Sequence, residues 1–301
     1  MKSTPSSVNL SNSSCRGFTL PELMVAMFLG LVVGALMLSS TLANKQAYNY
    51  DLKRIMLDQN LRSGMDILSA AVRVAGENLP TSFPAVEIIN GLGSAPDELI
   101  IRRNLLDEVL PVCSPIVLGA GGLQVYFAVA GTTTSACTYS GQTHNYTTWS
   151  TYRSSEGGSV RAYIYDVTAK QGEFFNYVNE GNTGTAYYIL RSGGSWSYSY
   201  PTASSSVYIL EEWRIKLASG ILTVEENGEP ATPKNIIAGV DNLQVSALMS
   251  DGSTKTSFLR TDNWSEITAL ELTLSASTSY RKKPLSRTLT TRFFPRNILS
   301  K

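Results

Sequence analysis

Histidine is nearly absent from this 301-residue chain, His144 being the single one. That excludes histidine-based metal clusters and leaves no context for a Ser/His/Asp triad. In its Gly/Ser/Thr-rich surroundings, His144 is expected to be a solvated loop side chain. Charge is scarce too, at 16% of residues, and 25 Lys+Arg against 24 Asp+Glu leave a formal charge of +1. The chain as a whole therefore offers no electrostatic argument for nucleic acid or an anionic surface. Gly119-Ala120-Gly121-Gly122 lacks the flanking signals of a phosphate-binding loop and reads as a turn. Asp251-Gly252-Ser253 has no Glu to close a calcium loop and reads as a tight turn. No catalytic residue, cofactor or metal site emerges, and a non-enzymatic protein is expected. Cysteine is limited to three, Cys15, Cys113 and Cys137.

What is present is an uneven distribution of charge. Residues 1–17 are polar, rich in Ser and Asn, and carry Lys2 and Arg16 with no acid. From Leu23 to Ala43 no charge occurs, and these roughly 21 residues would rise about 31 Å as a helix, enough to cross a bilayer core. Basic residues ahead of the run place the N-terminus in the cytoplasm. A secretory signal peptide is the competing reading, but its cleavage site would follow the apolar run, where Ser39–Ala43 is a loose match. Glu22 is the informative residue. A carboxylate at the edge of an apolar span costs on the order of 2–3 kcal/mol on insertion scales, which argues for a partner. If a cut after Gly17 frees the Phe18 amine, a positive charge appears one helical turn before Glu22, within its own chain or a neighbour's reach. Pro21 suits a first helical turn, where a missing N–H is harmless.

Gly17-Phe18-Thr19-Leu20-Pro21-Glu22-Leu23-Met24-Val25-Ala26-Met27 resembles the class III processing motif of type IV pilins and type II secretion pseudopilins. The resemblance implies that a membrane peptidase cuts between Gly17 and Phe18, methylates Phe18, and leaves the apolar segment as a lasting anchor. It also implies that Glu22 pairs with a neighbouring subunit's N-terminal amine during assembly. The implied partners are the prepilin peptidase/N-methyltransferase, other pilins and an inner-membrane assembly platform. With Cys15 leaving in the leader, Cys113 and Cys137 form an even pair for one disulfide in an oxidising periplasm.

Past the apolar run, Tyr48, Leu52, Ile55 and Met56, then Met65, Leu68, Val72 and Ala75, recur at spacings of three and four. One helix over Phe18–Ala75 is predicted, bent near Gly64 and stopped by Gly76 and Pro80. Beyond it the pattern turns to period two. Strands are predicted at Glu98–Arg103, Leu123–Ala130, Val160–Val167, Thr185–Arg191, Ser206–Leu217, Ile221–Glu226, Val240–Met249, Ile267–Ala276 and Ser286–Phe294. Ser219-Gly220 reads as a hairpin turn. Gly131–Gly158 and Gly181–Ser206 read as loops. The fold class is α+β: a long N-terminal helix packed on a β-rich, mainly antiparallel C-terminal domain. The expected organisation is a cleaved leader over 1–17, a pilin helix over 18–76 with a transmembrane part at about 20–43, and a periplasmic domain over 77–301.

Ile236–Val245, Asp262–Leu274 and Thr288–Asn297 are similar to the ending of PilW-type minor pilins. That likeness implies a subunit that helps start type IV pilus assembly and sits near the tip. It shares features with the J-type pseudopilin of type II secretion, the alternative reading. A tip adhesin is a third, suggested by the tyrosines between Tyr187 and Tyr200, which equally fit packing along a strand face. The basic residues Arg281, Lys282, Lys283, Arg287, Arg292 and Arg296 read as a solvated strand edge rather than a DNA contact.

Overall fold

The computed structural model describes residues 17, 19–229, 232–281 and 283–299. The chain forms two compact units, Met1–Arg54 and Ile55–Lys301. Helix α1 (Leu20–Val74) supplies the described helix of the first and the opening helix of the second.

Within the second unit, the apolar stripe of α1 becomes a core face. Leu57, Leu61, Met65, Leu68, Ala71 and Val72 are all buried, at the three-and-four spacing that puts side chains on one side of a helix. Gly64 belongs to this face. A Cβ added there would sit 3.1 Å from Leu274 Cδ1, so the residue admits a close strand. Gly76 ends the helix as its position suggested. It takes a φ of +76°, donates its N–H to the Arg102 carbonyl at 2.9 Å, and lies so close under the Trp264 indole that any side chain would overlap it.

Three antiparallel sheets follow. The first runs β1 (Val86–Ile89), β2 (Glu98–Asn104), β9 (Leu210–Ala218), β10 (Ile221–Glu226) and β11 (Lys234–Ala238). The second runs β13 (Thr254–Lys255), β12 (Asn242–Met249), β14 (Ile267–Tyr280) and β15 (Lys283–Phe293). The third runs β3 (Leu110–Pro111), β8 (Ser205–Tyr208), β5 (Val160–Asp166), β6 (Gln171–Asn182), β7 (Ala186–Arg191) and β4 (Gln124–Val129). Ser219-Gly220 is the two-residue turn between β9 and β10, both residues with positive φ. A long N-terminal apolar helix packed on a mainly antiparallel β-rich domain is thus the architecture.

Two expectations are corrected. The strand predicted over Ser206–Leu217 is two strands in different sheets, with the chain passing from one to the other at Ile209. Val207, Tyr208, Ile209 and Leu210 are all buried, so the unbroken apolar run marks a crossing between layers rather than one half-buried face. The predicted loop Gly131–Gly158 holds helix α2 (Thr143–Ser155). Its Thr and Ser content disfavours helix, but Tyr146, Trp149 and Tyr152 fall three apart and pack on the core of the third sheet. Trp149 is buried and its indole N–H donates to the Glu108 carbonyl at 3.1 Å. Tertiary burial overrides local propensity there.

Beside β2 lies a buried ionic network. Arg102, 1% exposed, donates from Nε to Glu212 at 2.6 Å, from its two terminal nitrogens to Glu87 at 2.8 Å and to the Pro84 carbonyl at 2.9 Å. Arg260 adds a second contact to Glu87 at 3.2 Å and reaches the Tyr163 hydroxyl at 3.3 Å. Phe83 packs at a tilt against Tyr165 and Tyr208, with ring centroids 4.8 Å away in both cases. Burial pushes the Glu87 carboxyl up, and the guanidiniums of Arg102 and Arg260 outweigh it, holding the group below the usual carboxylate range. Every guanidinium edge of Arg102 therefore meets an oxygen, which is what makes a buried cation tolerable.

Candidate functional site

The predicted processing site lies at the start of the first unit. Gly17 is exposed and precedes the helix; Phe18 lies outside the described residues. The Leu23 N–H donates to the Thr19 carbonyl at 3.1 Å, which makes Thr19 the residue that opens α1. The Thr19 N–H and hydroxyl both donate to Glu22 Oε2, at 3.1 and 3.0 Å. This is one half of a capping box: the third helical residue turns its carboxylate back onto the amide of the cap. Thr19-Leu20-Pro21-Glu22 carries the Ser/Thr-x-x-Glu signal for it, and a reading centred on charge alone passed over it. The uncleaved chain thus gives Glu22 a local partner before any N-terminal amine exists.

The rest of the first unit is defined by what does not cover it. Every described residue from Thr19 to Lys45 is exposed. Leu20, Met24, Phe28, Leu31, Leu36 and Met37 each show between 64% and 76% of their surface. So continuous an apolar surface does not persist in water on a soluble monomer; it implies lipid or other apolar helices around it. α1 is the one helix among the described residues that is long and apolar enough to cross a membrane.

Cys113 and Cys137 are joined, with Cα atoms 5.6 Å apart and a sequence separation of 24. Cys113 follows β3 and its N–H donates to the Tyr126 carbonyl at 2.7 Å, while Cys137 ends a short 3-10 turn, Ser135–Cys137. The link closes a loop around β4, an edge strand of the third sheet. Closing a loop of that size contributes about 3–4 kcal/mol in the chain-entropy model. The Cys113→Ser/Cys137→Ser variant is therefore expected to lose about that much stability in a denaturant titration. Two free thiols in non-reducing mass mapping of the parent would overturn the assignment.

The remaining sequence features separate on the structure. His144 is in the first turn of α2 rather than in a loop; its side chain is 78% exposed and Nε2 lies 3.0 Å from Glu108 Oε1. Asp251 Oδ1 accepts from the Ser253 N–H at 2.8 Å, closing the turn before β13. Tyr187 and Tyr200 are buried. Tyr187 stacks on Phe127 and Tyr139, and the Tyr200 hydroxyl donates to Glu173 at 3.0 Å. Tyr187 and Tyr200 are therefore structural, whereas Tyr198 in the same segment is 40% exposed. Two of the basic residues are paired with carboxylates. Arg287 pairs with Asp58 at 3.3 Å and Arg292 with Glu271 at 2.7 Å, both along the edge strand β15. Lys282 lies outside the described residues. Among the described residues no group of three or more His, Cys, Asp or Glu side chains is arranged to hold a metal ion.

No curated protein matches the chain. It is similar to the type IV-like pilin TTHA1219 from Thermus thermophilus, at 12% identity over 80% of this chain and 96% of that one, with a TM-score of 0.39. A likeness that distant carries no functional weight. Residues 12–38, which span the exposed Gly17, the Thr19/Glu22 cap and the start of the uncovered apolar helix, match the family model of the prokaryotic N-terminal methylation motif.

Proposed function

We propose that this chain is a minor pilin, made as a precursor, cut between Gly17 and Phe18, methylated at Phe18, and built into a type IV pilus near its tip. The observation that carries the reading is the methylation motif laid over an apolar helix with no protein cover. A signal peptide would be removed with its apolar run. Here the same helix continues into the folded unit and supplies Leu61, Leu68 and Val72 to its core. Cleavage ahead of the helix leaves that element intact and keeps the anchor.

The residues then take distinct roles. Gly17 stands at the exposed scissile junction, Glu22 supplies the carboxylate for a subunit's N-terminal amine, and Leu23–Ala43 holds the chain in the inner membrane. The Cys113–Cys137 link stiffens the exported domain. The partners in this reading are the prepilin peptidase/N-methyltransferase, the assembly platform, the major pilin and other minor pilins. The minor-pilin assignment, against a J-type pseudopilin, rests on the PilW-like C-terminal segments.

N-terminal mass analysis of the protein from sheared pili and from membranes tests the proposal. A methylated Phe18 is expected at the N-terminus in the pilus fraction. Deleting the gene is expected to reduce surface pili and leave type II secretion intact. Normal piliation with impaired secretion would transfer the assignment to the pseudopilin.

A further inference from the structure

We infer that a cleft where chain segments beside all three sheets meet binds a phosphate group, free or carried on a small molecule. The cleft lies wholly within the second unit, so neither the membrane span nor the pilus reading enters into it.

Its walls come from three stretches of chain. Residues 81–84 join α1 to β1, Lys170 sits in the turn between β5 and β6, and residues 260–265 lead toward β14. The space they enclose is about 240 Å³, below the ~300–1,000 Å³ of pockets for drug-sized ligands. It therefore suits a group of a few heavy atoms. Two aromatic residues on the lining are held by the core. Phe83 packs on Tyr165 and Tyr208, and the buried Trp264 lies against Gly76. These walls are set before any ligand arrives, which lowers the cost of binding.

The lining is rich in uncommitted donors. The Arg260 side chain is 34% exposed. Its Nε bonds Glu87 and its Nη1 reaches the Tyr163 hydroxyl, while Nη2 has no hydrogen-bond partner among the described residues. Lys170 is half-buried, and no carboxylate among the described residues lies within ion-pair distance of it. Asp166, an acid in the same turn, accepts from the Thr168 N–H instead. Lys170 also holds a left-handed φ of 56°, where glycine or asparagine is the ordinary choice. The backbone therefore does not call for a lysine there. The hydroxyls of Thr81, Ser82 and Thr261 form no hydrogen bond among the described residues. Asp262 is the one carboxylate on the described lining, and both of its oxygens are occupied. Oδ1 accepts from Lys255 at 3.0 Å and Oδ2 from the Leu259 N–H at 2.7 Å. A guanidinium and an ammonium on one cleft suit a phosphate, the first as a forked donor and the second as a point charge. A carboxylate has two oxygens in one plane, too few for donors set on three segments, whereas phosphate oxygens point in tetrahedral directions.

Isothermal titration of the full chain in detergent tests this, with inorganic phosphate, glucose 6-phosphate, glucose and acetate as separate probes. Inorganic phosphate is expected to bind at one site in about the millimolar range, as one or two charge-assisted hydrogen bonds imply. Glucose is expected not to bind. Tighter binding of glucose 6-phosphate than of phosphate would assign an esterified source, and equal or weaker binding a free one. Lys170→Asn suits the left-handed turn and should weaken phosphate binding about tenfold. Arg260→Lys keeps a cation beside Glu87 but removes the spare donor, and should weaken binding as well. Arg292→Gln removes a charge from β15, outside the cleft, and should leave binding unchanged. No heat from either phosphate probe at ten times the expected constant would overturn the inference. So would acetate binding as tightly as phosphate, or equal weakening by all three variants.

Discussion

Replacing Arg102 with alanine is expected to destabilise the folded unit by about 3–5 kcal/mol, because it removes the shared cation from between two buried carboxylates. Glu87 and Glu212 have side chains only 12% and 8% exposed, and Arg102 bonds both. Arg260 reaches Glu87 at 3.2 Å but gives no contact that replaces the one at Glu212. The loss should appear as a lower denaturant midpoint of the full chain in detergent. A loss below about 1 kcal/mol, the range of an ordinary surface ion pair, would refute the network's role.

The pH dependence separates this from simple loss of packing. In the parent, Arg102 and Arg260 outweigh burial and hold Glu87 below its ordinary, unfolded-state value. Its contribution is therefore fully present above that value and disappears as pH falls through the lower folded-state pKa. Without Arg102, burial meets less opposition and the folded-state pKa rises. A raised group stabilises below its unfolded value and loses that contribution as pH rises. The variant should therefore recover stability between pH 7 and the carboxylate range, about pH 4–5, while the parent does not. Adding Glu87→Gln and Glu212→Gln to Arg102→Met removes the stranded charges and should restore part of the loss at neutral pH.

The network also shows what sequence reading reaches and where it stops. Met65, Leu68, Val72 and Ala75 announced a helix face, and Gly76 its end, since both are local consequences of spacing and φ. Asn242–Met249 was legible for the same reason: it alternates over one buried face. Strand β6 was not, because Gly172, Asn176, Glu180 and Gly181 interrupt its alternation and its core contacts reduce to residues such as Phe175 and Tyr177. The split at Ile209 depends on which sheet each half joins, and no local pattern encodes that. Arg102 and Glu212 stood in strands as ordinary charges 110 residues apart. Nothing in either segment says that they meet. At the N-terminus the motif identified Gly17 and Glu22, whereas the cap between Thr19 and Glu22 required seeing the carboxylate turn back.

That cap gives the sharper test of Glu22. Glu22→Gln and Glu22→Ala both remove the charge, but they differ in what they leave behind. A glutamine at this position still accepts from the Thr19 amide and hydroxyl, since capping boxes use Glu and Gln alike. Alanine accepts nothing. If the residue served only to start the helix, Glu22→Gln would behave as the parent and Glu22→Ala alone would fail. If its charge meets the amine released on Phe18, the two variants should fail together. Both should still be cut after Gly17, because the exposed junction lies outside the helix. In pili sheared from cells, either variant is expected to fall at least about tenfold relative to its membrane pool, as loss of a charge-assisted hydrogen bond of about 1.5–3 kcal/mol implies. Parent-level incorporation of Glu22→Gln would show that the carboxylate is a helix cap and nothing more, and the amine would then need another partner in the fibre.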